Sequence, residues 1–146
     1  MVDEKIAGIM RDFVKMMSEG DVEKTLSFFT EDAVWENPMG TFTGTDQLRR
    51  YITVQFETMQ DMKVTETGNG IIVDGNKAFF EHIISGKYQG KKAEVLAICA
   101  YEFNEDKIQK VRTTWDRLLM AKQAAPGWFS KTMVNAIINK MESGLH

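Results

Sequence analysis

Cysteine, histidine and proline are all scarce in this 146-residue chain, which has one Cys, two His and two Pro. A single cysteine, Cys99, cannot close an intramolecular disulfide, so the chain shows no disulfide framework of the kind that oxidising compartments favour. Cys99 and two scattered histidines, one of them the last residue, cannot build a thiolate or imidazole zinc cage of three or four ligands. An excess of basic charge is missing too. Eighteen Lys and Arg face 21 Asp and Glu for a net charge of −3, which gives no reason to expect nucleic acid as a partner. No run approaches the roughly 20 apolar residues of a membrane span. The opening Met1-Val2-Asp3-Glu4-Lys5 is charged and has no apolar h-region. The expectation is a cytoplasmic domain without metal or cofactor and without a membrane partner.

What is present is an ordinary globular composition, 43% hydrophobic and 27% charged, at a length suited to one core. Ile6, Ile9, Met10, Phe13 and Met17 recur at helical spacing, and Gly20 stops that helix. Asp21 is placed to cap a second, shorter helix with Val22, Leu26 and Phe29 inward. Thr30-Glu31-Asp32 interrupts, Ala33–Asn37 reads as a short strand ended by Pro38, and Gly40 to Gly44 reads as a loop holding Phe42. Thr45 then caps a third helix carrying Leu48, Ile52, Phe56 and Met59, with Tyr51 and Gln55 beside them.

After Gln60 the period changes from 3.6 to 2. Four strands are expected at about 62–73, 77–88, 93–104 and 107–117, joined by the turns Asp74-Gly75-Asn76, Gln89-Gly90-Lys91 and Asn104-Glu105-Asp106. Such short connections require an antiparallel meander. A helical turn or two over Leu118–Ala124 and a last amphipathic helix from Phe129 to Met141 follow. The fold class is therefore α+β, helices first and a curled antiparallel sheet after them. The strand Val95–Phe103 is apolar on both faces, where a one-layer sheet should be wetter outside. A homodimer through the outer sheet face is the expected cover.

Phe13-Val14, Glu19-Gly20-Asp21-Val22 and the run Phe28-Phe29-Thr30-Glu31-Asp32-Ala33-Val34-Trp35-Glu36-Asn37-Pro38-Met39-Gly40 resemble the nuclear transport factor two-like, or SnoaL-like, superfamily. With the third helix and the meander, the resemblance covers about residues 3–117. It implies a cone: a strongly bent sheet wraps the helices around an apolar pocket, and such cones often dimerise through the sheet. The implied division is a cone domain over 1–125 with a C-terminal helical extension over 126–146, packed over the cone mouth or across a partner subunit.

Within this superfamily the ketosteroid isomerases are the nearest local match, and their chemical positions are altered here. The resemblance puts Asn37 at the place of their catalytic Asp, Phe13 at that of an oxyanion-hole Tyr, and Cys99 at that of a protonated Asp. An amide has no useful basicity, whereas a positioned base contributes about 10²–10⁴-fold in rate. Phe13 offers no hydrogen bond, and Cys99 only a weak donor. A second stretch, Trp115-Asp116-Arg117-Leu118 to Gln123, is similar to the ending of SnoaL-type cyclases and implies Asp116 as an acid/base. Those cyclases also use a histidine, for which only His82, one strand earlier, could substitute.

His82 and Asp116 are thus the candidate catalytic pair. Trp35, Asn37, Phe42, Tyr51, Phe56, Met59, Cys99, Tyr101 and Trp115 are the candidate ligand-binding residues of a mostly apolar pocket for a small carbonyl-bearing or cyclic molecule. Period-2 geometry on the last strand groups Thr113 with Val111 and Trp115, and puts Asp116 on the opposite face unless the strand bulges or stops before it. Three readings stand at this point: a small cofactor-independent isomerase, cyclase or hydratase; a non-catalytic binding protein; and a protein-association module.

Overall fold

In the computed structural model, which describes residues 2–145, the first apolar stripe is buried along helix α1 (Val2–Glu19) at Ile6, Met10, Phe13 and Met17. Gly20 ends α1 with a positive φ of 74°, and Asp21 then caps the five-residue α2 (Val22–Leu26) by accepting from the Lys24 amide at 3.0 Å. Strand β1 runs over Phe29–Asn37 and so begins before the Thr30-Glu31-Asp32 break expected from sequence. The break survives as a register irregularity between Phe29 and Val34.

The expected loop around Phe42 is instead a strand, β2 (Gly40–Thr43), which pairs antiparallel with β1. Turn residues at its ends concealed its pairing partner, β1 itself, only two residues away. Thr43, not Thr45, occupies the N-cap position of α3 (Gly44–Thr58), and its amide donates to Gln47 Oε1 at 2.8 Å.

The meander follows as β3 (Met59–Asp74), β4 (Lys77–Tyr88), β5 (Lys91–Asn104) and β6 (Lys107–Trp115). Its two-residue turns fall at 75–76, 89–90 and 105–106, as the turn chemistry predicts. The six strands form one curved, open sheet in the order β2-β1-β6-β5-β4-β3, in which only β1 and β6 are parallel. Residues Phe80, Cys99, Tyr101, Phe103, Ile108 and Val111 face inward and join Phe13, Trp35, Leu48 and Ile52 in the core. The result is the α+β cone expected from the sequence.

The cone is closed off at one end by α4 (Arg117–Ala124), which packs on β5. Because β6 stops at Trp115, the first half of β5 pairs with β4 but has no strand on its other side. Gln123 takes that place with its side-chain amide, accepting from Glu94 N and donating to Glu94 O, each at 2.8 Å. Helix α5 (Gly127–Met141) contacts α4 and has no buried residue. Its apolar face is thus exposed in the single chain, and of the two placements expected from sequence, over the cone mouth or across a partner subunit, it does not take the first.

Close approach decides one glycine. Gly86 on β4 lies where β3 bends through its register irregularity between Gln60 and Lys63, and an added Cβ would stand 2.7 Å from the Gln60 carbonyl oxygen. That oxygen is backbone and cannot swing aside. Gly86→Ala is accordingly expected to destabilise the fold by about 1–3 kcal/mol, read as a lower urea midpoint.

Candidate functional site

Strand alternation and sheet register bring most of the predicted residues together inside the cone. Trp35 on β1 and Tyr51 on α3 meet edge to face at 5.1 Å between ring centroids, and Phe42 stacks on Tyr51 at 4.4 Å. Cys99 and Tyr101 lie buried on the inner face of β5, and Met59 is buried at the start of β3. Phe56 and Trp115 are half-buried.

The polar atoms of this interior largely satisfy one another. Trp35 Nε1–H donates to Thr113 Oγ1 at 2.9 Å, and that hydroxyl lies 3.2 Å from Cys99 Sγ. Gln55 Nε2 donates to the Tyr51 hydroxyl at 2.6 Å. Thr113 is the pivot that sequence reasoning did not select as a site residue. Its only signal was a hydroxyl side chain standing on the apolar face between Val111 and Trp115.

Burial sets the protonation states. It pushes the Cys99 thiol up to about 11 and raises both the Tyr51 and Tyr101 phenols, so none of the three supplies an anion near neutral pH. His82 is only 4% exposed, stacks on Phe80 at 4.2 Å, and has Nδ1 3.4 Å from the Phe80 carbonyl. Desolvation lowers its pKa below the ordinary 6.5, which keeps the ring neutral. Among the described residues its Nε2 has no hydrogen-bond partner.

Asn37 ends β1 on the same face as Trp35. Its Oδ1 accepts from the Met39 amide at 2.8 Å and anchors the turn at Pro38. Its Nδ2 is buried with no partner, alone in this among the described side-chain nitrogens and oxygens.

Asp116 departs from the sequence expectation. It is exposed and serves as the N-cap of α4, where Oδ1 accepts from the Leu119 amide at 2.9 Å. The strand stops just before it, but the chain turns straight into a helix, and the carboxylate is held by the Leu119 backbone amide rather than aimed into the cone. His82 and Asp116 are therefore not brought together as an acid/base pair. Two surface concavities stand out, and none of the predicted site residues lines either. One is a groove of about 360 Å³ bordered by Lys63, Ser85, Lys87, Lys92, Glu94 and Gln123; the other is a depression at the start of α3. Among the described residues no three His, Cys, Asp or Glu side chains gather as a metal ion would require, and no helix is long and apolar enough to cross a membrane.

The family model described as a SnoaL-like domain matches residues 10–111, well over half of the chain. This chain belongs to the SnoaL-like family. Solved structures agree at the level of fold. A protein of Jannaschia sp. CCS1 named as a candidate SnoaL-like polyketide cyclase superposes with a TM-score of 0.74 at 12% identity, covering 87% of this chain and 96% of that one. A hypothetical protein of Catenulispora acidiphila with a ketosteroid isomerase-like fold, in complex with trimethylamine, gives 0.73 at 15% identity over 80% and 91%. SalBIII, an epoxide hydrolase/cyclase-like enzyme in pyran ring formation, gives 0.70 at 21% identity over 80% and 95%. In this SnoaL-like domain the family match spans β1 through most of β6, the strands that carry Asn37, His82 and Cys99, and leaves α4 and α5 outside it.

Two outcomes are expected. Thr113→Val, nearly isosteric, strands the Trp35 indole N–H and is expected to cost about 1–3 kcal/mol in urea unfolding. For His82, the folded pKa lies below the unfolded one, so the unfolded chain binds the proton more readily. Its contribution is complete above pH 6.5 and is lost as pH falls below 6.5. Urea midpoints measured from pH 7.5 downward should fall in the wild type and show a flatter dependence in His82→Gln.

Proposed function

We propose that this SnoaL-like domain binds a small, largely apolar molecule inside its cone and offers the Asn37 amide N–H to an oxygen acceptor on that molecule. The observation that carries this reading is the buried, unpartnered Asn37 Nδ2. Leaving such a donor unsatisfied costs about 1–3 kcal/mol, which a ligand carbonyl or hydroxyl recovers. Around Asn37 the wall is aromatic and aliphatic, so the remainder of the ligand is apolar. Two structural relatives are named for polyketide cyclisation and for pyran ring formation, which makes cyclic, oxygen-bearing skeletons the class to try first.

A second reading, acid/base chemistry, is favoured by one observation: His82 is held neutral, with an unpartnered Nε2, on the cone's inner face. Asn37 and His82 are separated by β6 and β5, three strand spacings or about 14 Å along the sheet, which curvature shortens. A multi-ring ligand spans that interval. His82 would then remove a proton alpha to a second carbonyl at the far end of the ligand, and Asp116 would have no part in the step.

The test uses 2-decalone, 2-decalol and decalin, which share a carbon skeleton and differ in the acceptor. By native mass spectrometry the ketone and alcohol should bind the wild type more tightly than the hydrocarbon. Asn37→Leu should remove about threefold to tenfold of that advantage. Equal ketone binding by Asn37→Leu refutes the role of the amide. Exchange of the α-protons of 5α-androstane-3,17-dione, a four-ring diketone with carbonyls at opposite ends, into D₂O separates binding from catalysis, because one carbonyl can meet Asn37 while the other lies beside His82. The acid/base reading expects a loss of about 100-fold in His82→Gln and none in Asp116→Ala.

A further inference from the structure

We propose that α4 is a hinged lid over the end of the cone where Asn37 and His82 lie, and that Gln123 is its latch. What passes beneath the lid rests on the binding reading above; the opening itself rests on how α4 is held. At the start of α4, Arg117 Nη1 donates to the Pro38 carbonyl at 3.0 Å, in the turn that Asn37 anchors. Toward its end, Gln123 bonds the Glu94 backbone, and Lys91 Nζ donates to the Ala125 carbonyl at 2.7 Å. Both of these contacts are with β5, whose Ala97 stands between His82 on β4 and Trp115 on β6 in the sheet register. The helix thus reaches from the Asn37 end of β1 to the strand beside His82, and spans the interval between the two free polar atoms.

Little apolar surface holds α4 down. Five buried apolar residues lie outside the main core: Ala93, Val95 and Ala97 on β5, and Ala124 and Ala125 at the end of α4. Four of the five are alanines, with one methyl group each to bury. Among the described residues, Met120 is the one α4 side chain packed on the main core, and it is only partly buried. The remaining fasteners are the hydrogen bonds just named, which exchange for bonds to water at a modest net loss. Both ends of α4 are joints. Strand β6 stops immediately before Asp116, and Pro126 with Gly127, at a φ of 68°, breaks the chain ahead of α5. Helix α5 contacts α4 and buries no residue, so it travels with α4 and does not pin it. A segment with few buried contacts between two joints opens at a lower free energy than the sheet beneath it, and lids are such segments. The stretch from Asp116 to Gln123 thereby has a role without acid/base chemistry. Asp116 starts the lid helix, and Gln123 closes it onto the bare edge of β5.

Amide hydrogen exchange of the full chain, followed by NMR, reads the opening. The amides of Glu94, Met120 and Ala125, bonded to Gln123, Asp116 and Ala121, should exchange in concert and be less protected than those of Met10 and Phe13 in α1. Gln123→Ala should speed all three by one common factor of about tenfold and leave Met10 and Phe13 unchanged. Lys91→Ala, which removes the bond to Ala125, should act in the same direction. Acceleration confined to Glu94 is local fraying and overturns the lid, as does exchange of the α4 amides only through global unfolding. Stopped-flow binding of 2-decalone, read by tryptophan fluorescence, tests the passage. Gln123→Ala should raise the association and dissociation rates by the same factor and leave Kd unchanged. Unchanged rates overturn α4 as the entrance. Absence of 2-decalone binding in both proteins counts against the binding reading alone, and the exchange measurements then decide the lid.

Discussion

The wedge of Phe13 into the cone is the contact on which the rest of the architecture depends. Its ring meets Phe28, Phe29, Trp35 and Tyr101 at centroid distances of 5.5 to 6.4 Å, three of the four edge to face. Those partners come from the end of α2, from β1 and from β5, so one side chain of α1 joins the N-terminal helices to both halves of the sheet. Pairs of this geometry add about 0.5–1.5 kcal/mol each beyond the area they bury. Once α1 is seated in this way, the sheet has to curve around it, and the inward faces of β4, β5 and β6 become a wall.

The residue that seats α1 brings packing and no chemistry. Phe13, which the resemblance to the isomerases sets at the place of a hydroxyl donor, is a hydrocarbon ring. The polar groups that remain are arranged to satisfy each other, Trp35 with Thr113 and Cys99, and Tyr51 with Gln55. Burial then keeps the thiol and both phenols protonated. Among the described residues of this interior, Asn37 Nδ2 and His82 Nε2 remain to meet something other than the protein. This favours recognition of a neutral ligand over chemistry that needs a resident anion.

Much of this was legible along the chain. The helical stripe of α1, the Asp21 cap and the three two-residue turns are local, because side-chain spacing and turn chemistry act over a few residues. Alternation grouped Cys99 with Tyr101 and His82 with Phe80, and the family resemblance said which of the two faces pointed inward. Three features were not legible. Strand β2 is too short and too rich in turn residues to show itself without its partner β1. Thr113 looked like one more alternating residue until Trp35, 78 positions away, supplied a donor. Asp116 looked like a cyclase acid, because the sequence motif does not say whether a carboxylate at a strand end turns inward or caps the next helix.

The sequence by itself determined the fold class and the apolar character of the interior, which follow from periodicity and residue type over short spans, and the family, which its motifs resemble. The scarcity of cysteine and histidine narrowed the reactive groups before any geometry was known. Only the tertiary structure decided which of those groups are spent within the protein. It committed Asp116 to the α4 cap and Gln123 to the bare edge of β5, left the Asn37 amide without a partner, and turned the α5 stripe outward. A hydrogen bond or a buried face is a property of two segments at once, and that pairing is settled only when the sheet closes around α1.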